Sequence, residues 1–496
     1  MNLNRQIRRL AVGIAVLFVA LFAQLNYVQI IRADRLNDDP RNTREIVRDF
    51  TNPRGVIQTA DGVVLAQSVP SGDSFERQRQ YPEGALFAHV TGYFSFEFGA
   101  EGVEKEYNDA LAGRIEELEL ESLGDWLAGR RRTANVTLTL TKAVQQAAAD
   151  ALGTRQGSVV ALDPRTGAVL ALHSFPSYDP NVLASHDLKA VSAARTQLMA
   201  DPAKPLLARP YRETFFPGST FKVVTAATAL DKGTDAGPVT PEQPVFPSLR
   251  ELDLPTTTSE LHNFGGATCG GNLLQALTIS CNTVFGQLGL DLGAQRLTDG
   301  ANAFGFNRRP PLDLSPGAVA SHFPDVAFYD RNLPALAQSA IGQNNVSATP
   351  LQMALMAAAI GNHGVVMEPH VLAEIRDSEG EPVRPAKARQ WLVAAPGPVA
   401  DQVRDMMVNV VNRGTARRAV VPGVQVAAKT GTAQTGNDSS HAWTIAFAPA
   451  EAPRVVVAVI VEGLPGVSEA TGGRVAAPIV QRVLQAALAL PDPLAA

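Results

Sequence analysis

The sequence predicts a membrane-anchored chain with a small mixed domain and a larger domain of the α+β / α/β class. Three observations predict this fold. An apolar segment lies near the N-terminus, a β-hairpin pattern occupies residues 158–173, and further strand patterns return only after residue 424. Because helical patterns fill the chain between, we expect the early hairpin and the late strands to form one antiparallel sheet with helices inserted.

The first element is an apolar segment at residues 10–23, preceded by Arg5, Arg8 and Arg9. Extended to Ile31, it is long enough to cross a bilayer, which takes about 20 residues. A cleaved signal peptide is the alternative, but no convincing A-x-A site follows the segment. We therefore predict a single-pass protein of the cell membrane, with its N-terminus in the cytoplasm and its main domain outside the cell membrane.

The region after the anchor divides into a stalk and a small domain. Residues 32–49 are mostly polar and predict the stalk. Strand patterns at 54–57 and 63–66 flank Asp61-Gly62, a hairpin signal, and the sequence to residue 153 is otherwise turn-rich. The predicted domains are residues 1–31 as a cytoplasmic stub and anchor, 32–153 as stalk and pedestal, and 154–492 as the main domain.

The main domain is predicted from caps and strand patterns. Thr141 and Gly153 bound the first helix, and Thr349-Pro350-Leu351-Gln352 is a capping box that opens another. After residue 219 the chain favours helices for a long way. The predicted elements are helix 141–152, strands 158–162 and 168–173, helix 350–360, strands 424–428, 443–448 and 455–461, and helix 476–490.

Two reactive side chains, Ser219 and Lys222, stand where a buried helix is predicted to begin. Pro217-Gly218 is a turn signal, and the residues after Thr220 are apolar nearly all round. Residues three apart on a helix are neighbours, so the Lys222 amine can reach the Ser219 hydroxyl. An amine in apolar surroundings can take the proton of a serine, and the helix N-terminus offers N–H groups to an oxyanion. A capping serine beside a solvent-reaching lysine is the structural alternative.

Ser280-Cys281-Asn282 lies on a predicted tight turn between two helical segments. A serine hydroxyl and an amide on such a turn can point into one cleft. A thiol beside the cleft can act as a second nucleophile, but a small structural residue is the stronger interpretation of Cys281.

Lys429-Thr430-Gly431-Thr432 lies on a predicted strand. Alternation along a strand sends Lys429 and Gly431 to one face and the two threonines to the other. Gly431 permits the close approach of a ligand backbone. Each of the three motifs occurs by chance, so the prediction rests on their order and on the element predicted under each.

With the three motifs in this order, the chain resembles the penicillin-recognising serine acyl-transferases. Gly102-Val103-Glu104 and Pro176-Ser177-Tyr178 are similar to segments of class B penicillin-binding proteins, and His441-Ala442-Trp443 is similar to the actinobacterial penicillin-binding protein A branch. The resemblance covers nearly the whole chain from Arg54 on. It implies a five-stranded antiparallel sheet flanked by helices, an all-helical subdomain, and a pedestal or dimerisation domain before them.

The resemblance also implies roles for the motif residues. Ser219 would be the nucleophile that accepts the acyl group, with Lys222 as its base. Ser280 would relay a proton to the leaving group, and Asn282 would hydrogen-bond the bound peptide.

The strand motif would supply the remaining groups. Lys429 would tune Ser280 electrostatically, while Thr430 and Thr432, beside Gly431, would bind the terminal carboxylate of substrate or antibiotic. The backbone N–H groups of Ser219 and Thr432 would form the oxyanion hole. A peptide extended beside the Lys429 strand would bind by strand addition.

The function implied is a monofunctional peptidoglycan D,D-transpeptidase that cross-links stem peptides and is a target of β-lactams. A β-lactamase and a non-catalytic penicillin sensor are the alternatives. The predicted partner is a glycosyltransferase of the elongation or division machinery. The resemblance also implies that the chain has no glycosyltransferase domain, because the roughly 120 residues between the anchor and the main domain are too few for that domain in this family.

Composition excludes other classes of function. The net charge of -5 and pI near 6.0 argue against a nucleic-acid partner. The 8 histidines form no H-E-x-x-H motif, and the 2 cysteines form no C-x-x-C motif, so neither a metal nor another cofactor is expected. His89, His173 and His441 are interpreted as structural, whereas Trp443 fits either the core or a substrate groove.

The two cysteines, Cys269 and Cys281, are both predicted to lie outside the membrane. An even number of cysteines in an oxidising compartment favours a disulfide, which would tie a glycine-rich loop to the turn with Ser280. Two unpaired small residues are the alternative.

Overall fold

The structure is a computed structural model that describes residues 3–28, 50–119, 133–435, 439–463, 471–492 and 494. The predicted stalk at 32–49 and the end of the predicted anchor at Ile31 lie outside these residues. The described chain forms two compact units. One contains the helix Leu3–Asn26, in which Ile7–Asn26 is long and apolar enough to cross a membrane, with a mean hydropathy of 1.8. The other contains a five-stranded sheet and all three motifs.

A five-stranded antiparallel sheet forms the centre of the main domain, as predicted. Within this sheet, the strand that comes last in the chain, Val455–Val461, pairs with the strand that comes first, Gly157–Leu162, and Val459 lies opposite Val159. Every residue of that last strand is buried, because helices cover both faces of the sheet. The strand order is Ala427–Thr435, Ser439–Ala448, Val455–Val461, Gly157–Leu162 and Val169–Phe175.

The segment between the hairpin and the late strands contains the predicted helices, but it also contains short strands that were not predicted. Eight short strands interrupt it, at Phe246–Leu249, Glu251–Asp253, Glu260–His262, Cys269–Gly271, Val365–Met367, Leu372–Arg376, Pro382–Pro385 and Gln390–Val393. This part of the chain is rich in glycine and proline, which do not sustain helices. The helices are Leu188–Ala200, Lys222–Lys232, Leu273–Ile279, Asn282–Ala303, Leu333–Ser339, Pro350–Gly361 and Gly397–Asn412.

The predicted caps are only partly formed. Gly153 ends the helix Lys142–Leu152 with a positive φ of 61°, but the Thr141 side chain makes no capping hydrogen bond. Thr349 accepts the Gln352 backbone N–H at 3.1 Å. The capping box is not completed, because the Thr349 N–H donates to Ser321 Oγ at 3.0 Å, while Gln352 Nε2 donates to the Phe304 carbonyl oxygen at 2.7 Å. Tertiary contact therefore overrides the local pattern here.

The N-terminal region forms a second sheet of six strands. The predicted hairpin is present, with Ile57 opposite Ala66. Two strands from much later in the chain, Leu372–Arg376 and Pro382–Pro385, complete the sheet. No pattern in the sequence predicted that these two late strands would join the N-terminal sheet. The full order is Pro382–Pro385, Leu372–Arg376, Asn135–Leu138, Ile57–Gln58, Val64–Pro70 and Arg77–Gln80.

A buried ion cluster lies beside this sheet. The Glu104 carboxylate accepts hydrogen bonds from Arg54 at 2.7 Å and from Arg79 at 2.6 Å, and the Tyr81 hydroxyl donates to it at 3.1 Å. Burial raises the pKa of Glu104, but the two guanidinium groups outweigh it and hold the pKa below its usual range. Glu104 is therefore ionised, and its single negative charge offsets part of the positive charge of two buried arginines.

Candidate active site

Ser219 lies on a tight turn that leads directly into the helix of Lys222. The turn is a single 3-10 element, Gly218–Phe221, and the α-helix runs from Lys222 to Lys232. Gly218 has a φ of 54° and donates its N–H to the Gly342 carbonyl oxygen at 2.9 Å. A Cβ on Gly342 would lie 2.2 Å from the Gly218 carbonyl oxygen, so glycine is required where the two segments cross. Ser219 is half-buried, whereas Lys222 is fully buried.

The Lys222 amine is held by the Ser280 turn. Its Nζ donates to the Ser280 carbonyl oxygen at 2.8 Å and to Asn282 Oδ1 at 2.6 Å, and it lies 3.3 Å from Ser280 Oγ. Within the described part of the chain, no hydrogen bond joins Lys222 to Ser219. Both carbonyl-type oxygens can only accept, so they use two N–H groups of the amine. In the neutral amine, the lone pair then remains available to accept a proton.

Lys429 approaches the same serine from the other side. Its Nζ donates to Ser280 Oγ at 2.8 Å and to the Thr430 carbonyl oxygen at 2.8 Å. The Ser280 hydroxyl therefore lies between two buried amines. A hydroxyl in this position can pass a proton from one amine to the other.

Burial changes the acid–base chemistry of both lysines. It lowers the pKa of Lys222 well below the usual value, and the nearby charge of Lys429 lowers it further. Burial also lowers the pKa of Lys429 to about 7. Because two adjacent ammonium groups repel each other, a neutral amine at this site is favoured near neutral pH.

Ser280 adopts a left-handed conformation, with φ 65° and ψ 43°, at the end of the helix Leu273–Ile279. Such a conformation is uncommon for serine and needs support from its surroundings. The side chain of Asn263 supplies part of that support, because its Oδ1 accepts the backbone N–H groups of Asn282 at 2.9 Å and Thr283 at 3.0 Å. The Asn282 amide in turn donates to the His262 carbonyl oxygen at 2.9 Å.

Asn263 was not identified from the sequence. It is 5% exposed and precedes the glycine-rich loop, where an asparagine carries no recognisable signal. A disulfide joins Cys269 to Cys281 and ties this loop to the turn with Ser280. Cys281 therefore has no free thiol in this structure.

The strand motif follows the expected alternation of faces, but the reason for its glycine is different. A Cβ on Gly431 would lie 2.9 Å from the Pro217 carbonyl oxygen and 3.1 Å from the Thr220 nitrogen. The glycine thus admits the turn that carries Ser219. Thr430 points to the opposite face, where its hydroxyl lies 2.5 Å from that of Thr415, a residue that the sequence did not single out.

Thr432 is half-buried and close to the nucleophile. A Cβ on Gly218, the residue before Ser219, would lie 2.8 Å from the Thr432 carbonyl oxygen. The serine turn therefore packs directly on the strand at Thr432. This packing brings the backbone of Ser219 and that of Thr432 together on one side of the cleft.

The remaining aromatic candidates belong to the core. Trp443 is fully buried and donates from Nε1 to the Phe216 carbonyl oxygen at 3.0 Å, immediately before the serine turn. Burial lowers the pKa of His89 and of His173 to about 4, so both are neutral at pH 7. His441 accepts the Gly463 N–H at Nδ1 and packs against the Phe215 ring.

A group able to coordinate a metal lies on a surface hairpin. The side chains of Glu251, Glu260 and His262 bring one ligand atom each within 4.8 Å of one another. All three are exposed, and two carboxylates beside an imidazole on a hairpin are equally suited to a solvated ion pair. No function in the reaction is assigned to this group.

Comparison with known families places the motifs in context. Residues 157–485 match the penicillin-binding protein transpeptidase domain. The chain belongs to this family. Residues 54–136 of this penicillin-binding protein match the penicillin-binding protein A dimerisation domain, and the helical and sheet elements that carry the three motifs lie within the longer match.

Relatives of high similarity are of the penicillin-binding protein A type, which confirms the branch predicted from the sequence. The peptidoglycan D,D-transpeptidase PbpA of Mycolicibacterium smegmatis is 42% identical over 500 residues, covering 98% of this chain and 99% of the relative. An acyl-enzyme complex of penicillin-binding protein A from M. tuberculosis has a TM-score of 0.82 and 38% identity, and the match covers 89% of this chain and 100% of that structure. PBP2 from Pseudomonas aeruginosa has a TM-score of 0.73 and 30% identity, and the match covers 89% of this chain and 96% of that structure.

Proposed function

We propose that this penicillin-binding protein is a peptidoglycan D,D-transpeptidase that works through an acyl-enzyme on Ser219 and is inhibited by β-lactams. The observation that carries the proposal is the convergence of Lys222 and Lys429 on the Ser280 hydroxyl, next to the turn of Ser219. The names of the mycobacterial relatives agree with this reaction.

In the acylation step, Ser219 Oγ attacks the carbonyl carbon between the last two D-alanines of a stem peptide. The neutral Lys222 amine takes the hydroxyl proton as the Oγ–C bond forms. The N–H groups of Ser219 and Thr432 stabilise the oxyanion, and removing one such donor typically slows a reaction about 100- to 1,000-fold.

Breakdown of the tetrahedral intermediate breaks the C–N bond and releases D-alanine. Its nitrogen needs a proton, and Ser280 can deliver one because its hydroxyl lies next to both amines. Lys222 then returns its proton to Ser280. In the second half of the reaction, the amine of another stem peptide attacks the acyl-enzyme, and the same groups act in reverse to free Ser219.

Substrate binding is assigned to the strand Ala427–Thr435. This strand is at the edge of the five-stranded sheet, so its outer backbone groups can pair with an extended peptide. We assign the terminal carboxylate of the peptide to Thr430 and Thr432. Asn282 would hydrogen-bond the peptide backbone, since its amide is held at the cleft by Lys222 and His262.

The N-terminal helix is proposed as a single-pass anchor with the catalytic domain outside the membrane. Arg8 and Arg9 precede the apolar segment and favour a cytoplasmic N-terminus. We propose residues 32–153 as a pedestal that holds the site away from the membrane and docks a glycosyltransferase of the elongation or division machinery. Localising a tagged copy to the septum or the side wall decides between the two machineries.

Two alternatives share the acylated serine. A β-lactamase activates water to hydrolyse its acyl-enzyme quickly, so it would turn over nitrocefin within seconds. A penicillin sensor would release a cytoplasmic partner on acylation. If the chain is a transpeptidase, we expect neither result. We expect a long-lived acyl-enzyme with penicillin and a cross-linked product with stem peptides.

The assignment of Ser219 is tested by labelling with a fluorescent penicillin. Ser219→Ala should abolish labelling, because the hydroxyl forms the covalent bond. Ser192→Ala, which changes an exposed serine on the helix Leu188–Ala200, is the matched control and should label normally. Labelling of Ser219→Ala at the rate of the control would show that another residue is the nucleophile.

A further inference from the structure

A cavity of about 180 Å³, which none of the three motifs lines, lies between the segment matched by the dimerisation family and the catalytic domain. The first segment contributes residues 88–102 to its wall, and the catalytic domain contributes residues 206–212. Two tyrosines join the segments at the wall. Tyr211 donates to the His89 carbonyl oxygen at 3.0 Å, and Tyr178 donates to that of Ala88 at 3.5 Å.

Two opposite charges face this cavity. Glu101 and Arg212 are its charged lining residues, and both are half-buried. Glu101 accepts a hydrogen bond from Tyr93 at 3.1 Å, and Arg212 donates to the Gly317 carbonyl oxygen at 2.8 Å. Among the described residues, neither forms an ion pair. A carboxylate and a guanidinium group have more hydrogen-bonding positions than these contacts use.

The volume limits the size of a ligand. Pockets for drug-sized molecules have volumes of about 300–1,000 Å³, so this cavity accommodates only a smaller molecule, although one well above the size of a single water. The rest of the wall is apolar or aromatic, with Leu206, Leu207 and Tyr178 among its residues. A small ligand with one positive end, one negative end and a short apolar side chain matches this lining.

We propose that the cavity binds a small zwitterion, an α-amino acid or a dipeptide, with its carboxylate on Arg212 and its ammonium group on Glu101. The guanidinium group suits a carboxylate because its N–H groups match the two oxygens. The ammonium group gains the attraction of the Glu101 charge. Bound in this way, the ligand links the N-terminal segment to the catalytic domain.

D-Alanine is the first probe, since it is the leaving group of the proposed reaction. This choice rests on the proposed function, whereas the binding site does not. The full-length protein in detergent is titrated with D-alanine, L-alanine and D-alanyl-D-alanine by calorimetry, and its Tm is followed in parallel. Propionate lacks the ammonium group and ethylamine lacks the carboxylate, so both are matched controls. A ligand that binds only the folded state raises Tm.

We expect a zwitterion to raise Tm and the two single-charge controls to have much less effect at equal concentration. Arg212→Gln and Glu101→Gln should each weaken zwitterion binding at least about tenfold, because each removes a charge-assisted contact. Arg308→Gln and Glu97→Gln change exposed residues outside the cavity and should bind as the wild type does. Stronger binding of D-alanine would indicate a ligand from the cell wall, whereas equal binding of D- and L-alanine would indicate amino acids in general.

The active site also accommodates D-alanine in the proposed reaction, so the titration is repeated after penicillin has acylated the protein. Binding that persists and depends on Arg212 belongs to the cavity. Equal effects of zwitterions and single-charge controls, or unchanged binding by both cavity variants, would overturn the proposal. If penicillin did not acylate the protein, the proposed function would be contradicted. The titrations of unmodified protein would still show whether the cavity binds a zwitterion. If a variant does not fold, the comparison of zwitterions with propionate and ethylamine on the wild-type protein still tests the proposal.

Discussion

Lys429 Nζ donates a 2.8 Å hydrogen bond to Ser280 Oγ, although the two residues are 149 positions apart in the chain. On its other side, the same hydroxyl lies 3.3 Å from Lys222 Nζ. Two amines that share one hydroxyl inside a protein cannot both remain fully charged at low cost, because each has lost solvation and repels the other. The protonation of this pair is therefore central to the expected behaviour of the enzyme.

Replacing Lys429 tests its action on Ser280. Lys429→Met keeps much of the side-chain volume but removes the hydrogen bond to the hydroxyl. We expect the rate of acylation by a fluorescent penicillin to fall about 100-fold, at the lower end of the range for acid–base groups. Lys387→Met, an exposed site, is the matched control. Equal rates for the two variants would remove Lys429 from the reaction.

The acylation rate should rise with pH as Lys222 loses its proton, since only the neutral amine can act as a base. The pKa of Lys222 is lowered by burial and, in addition, by the charge of Lys429. Lys429→Met removes the second cause, so the acidic limb of its pH–rate profile should move to higher pH. Stopped-flow acylation from pH 5 to pH 9 measures the limb. A limb at the same pH in both proteins would contradict the coupling.

Burial of Lys429 should also make stability depend on pH. Its pKa is about 7 in the folded protein and 10.5 when unperturbed. Between these values the unfolded chain binds a proton that the folded chain does not, so the free energy of unfolding rises with pH from about 7 to about 10.5. Lys429→Met should lose this part of the rise. Urea titrations at pH 7 and pH 9.5 measure it, and parallel slopes for both proteins would contradict it.

Asn263 is expected to act by positioning Asn282. Asn263→Ala leaves the backbone N–H groups of Asn282 and Thr283 without their acceptor, at a cost of about 1–3 kcal/mol for each buried group. Both stability and acylation rate should fall. Asn263→Asp keeps an oxygen at the same place and should recover much of the rate. A rate for Asn263→Ala equal to that of the wild type would show that the turn holds its geometry without this side chain.

The disulfide should contribute mainly to stability. It closes a loop with a sequence separation of 12, for which chain entropy predicts roughly 3 kcal/mol. Joint replacement of Cys269 and Cys281 by serine should lower Tm, but should slow acylation less than Asn263→Ala, because Asn263 still holds Asn282. Denaturant titration with and without a reductant gives an independent measurement. An unchanged free energy of unfolding in both experiments would refute the prediction.

The sequence alone determined the features that depend on local chemistry. The turn signal at Pro217-Gly218, the buried helix after it and the alternation at Lys429-Thr430 follow from the residues within a few positions of each other. The antiparallel sheet also followed, because strand patterns occur early and late in the main domain with mainly helical patterns between them. The three motifs could therefore be recognised in order before any contact was known.

Only the tertiary structure decided which atoms meet. Lys222 could be placed near Ser219 by helical spacing, yet its Nζ bonds to the Ser280 turn, 58 and 60 residues away. Gly431 accommodates the serine turn, and the Gln352 side chain bonds to the distant Phe304 carbonyl oxygen and does not complete its capping box. A local pattern fixes the direction of a side chain, whereas its partner depends on loop closure and packing between distant segments, which no short stretch of sequence contains.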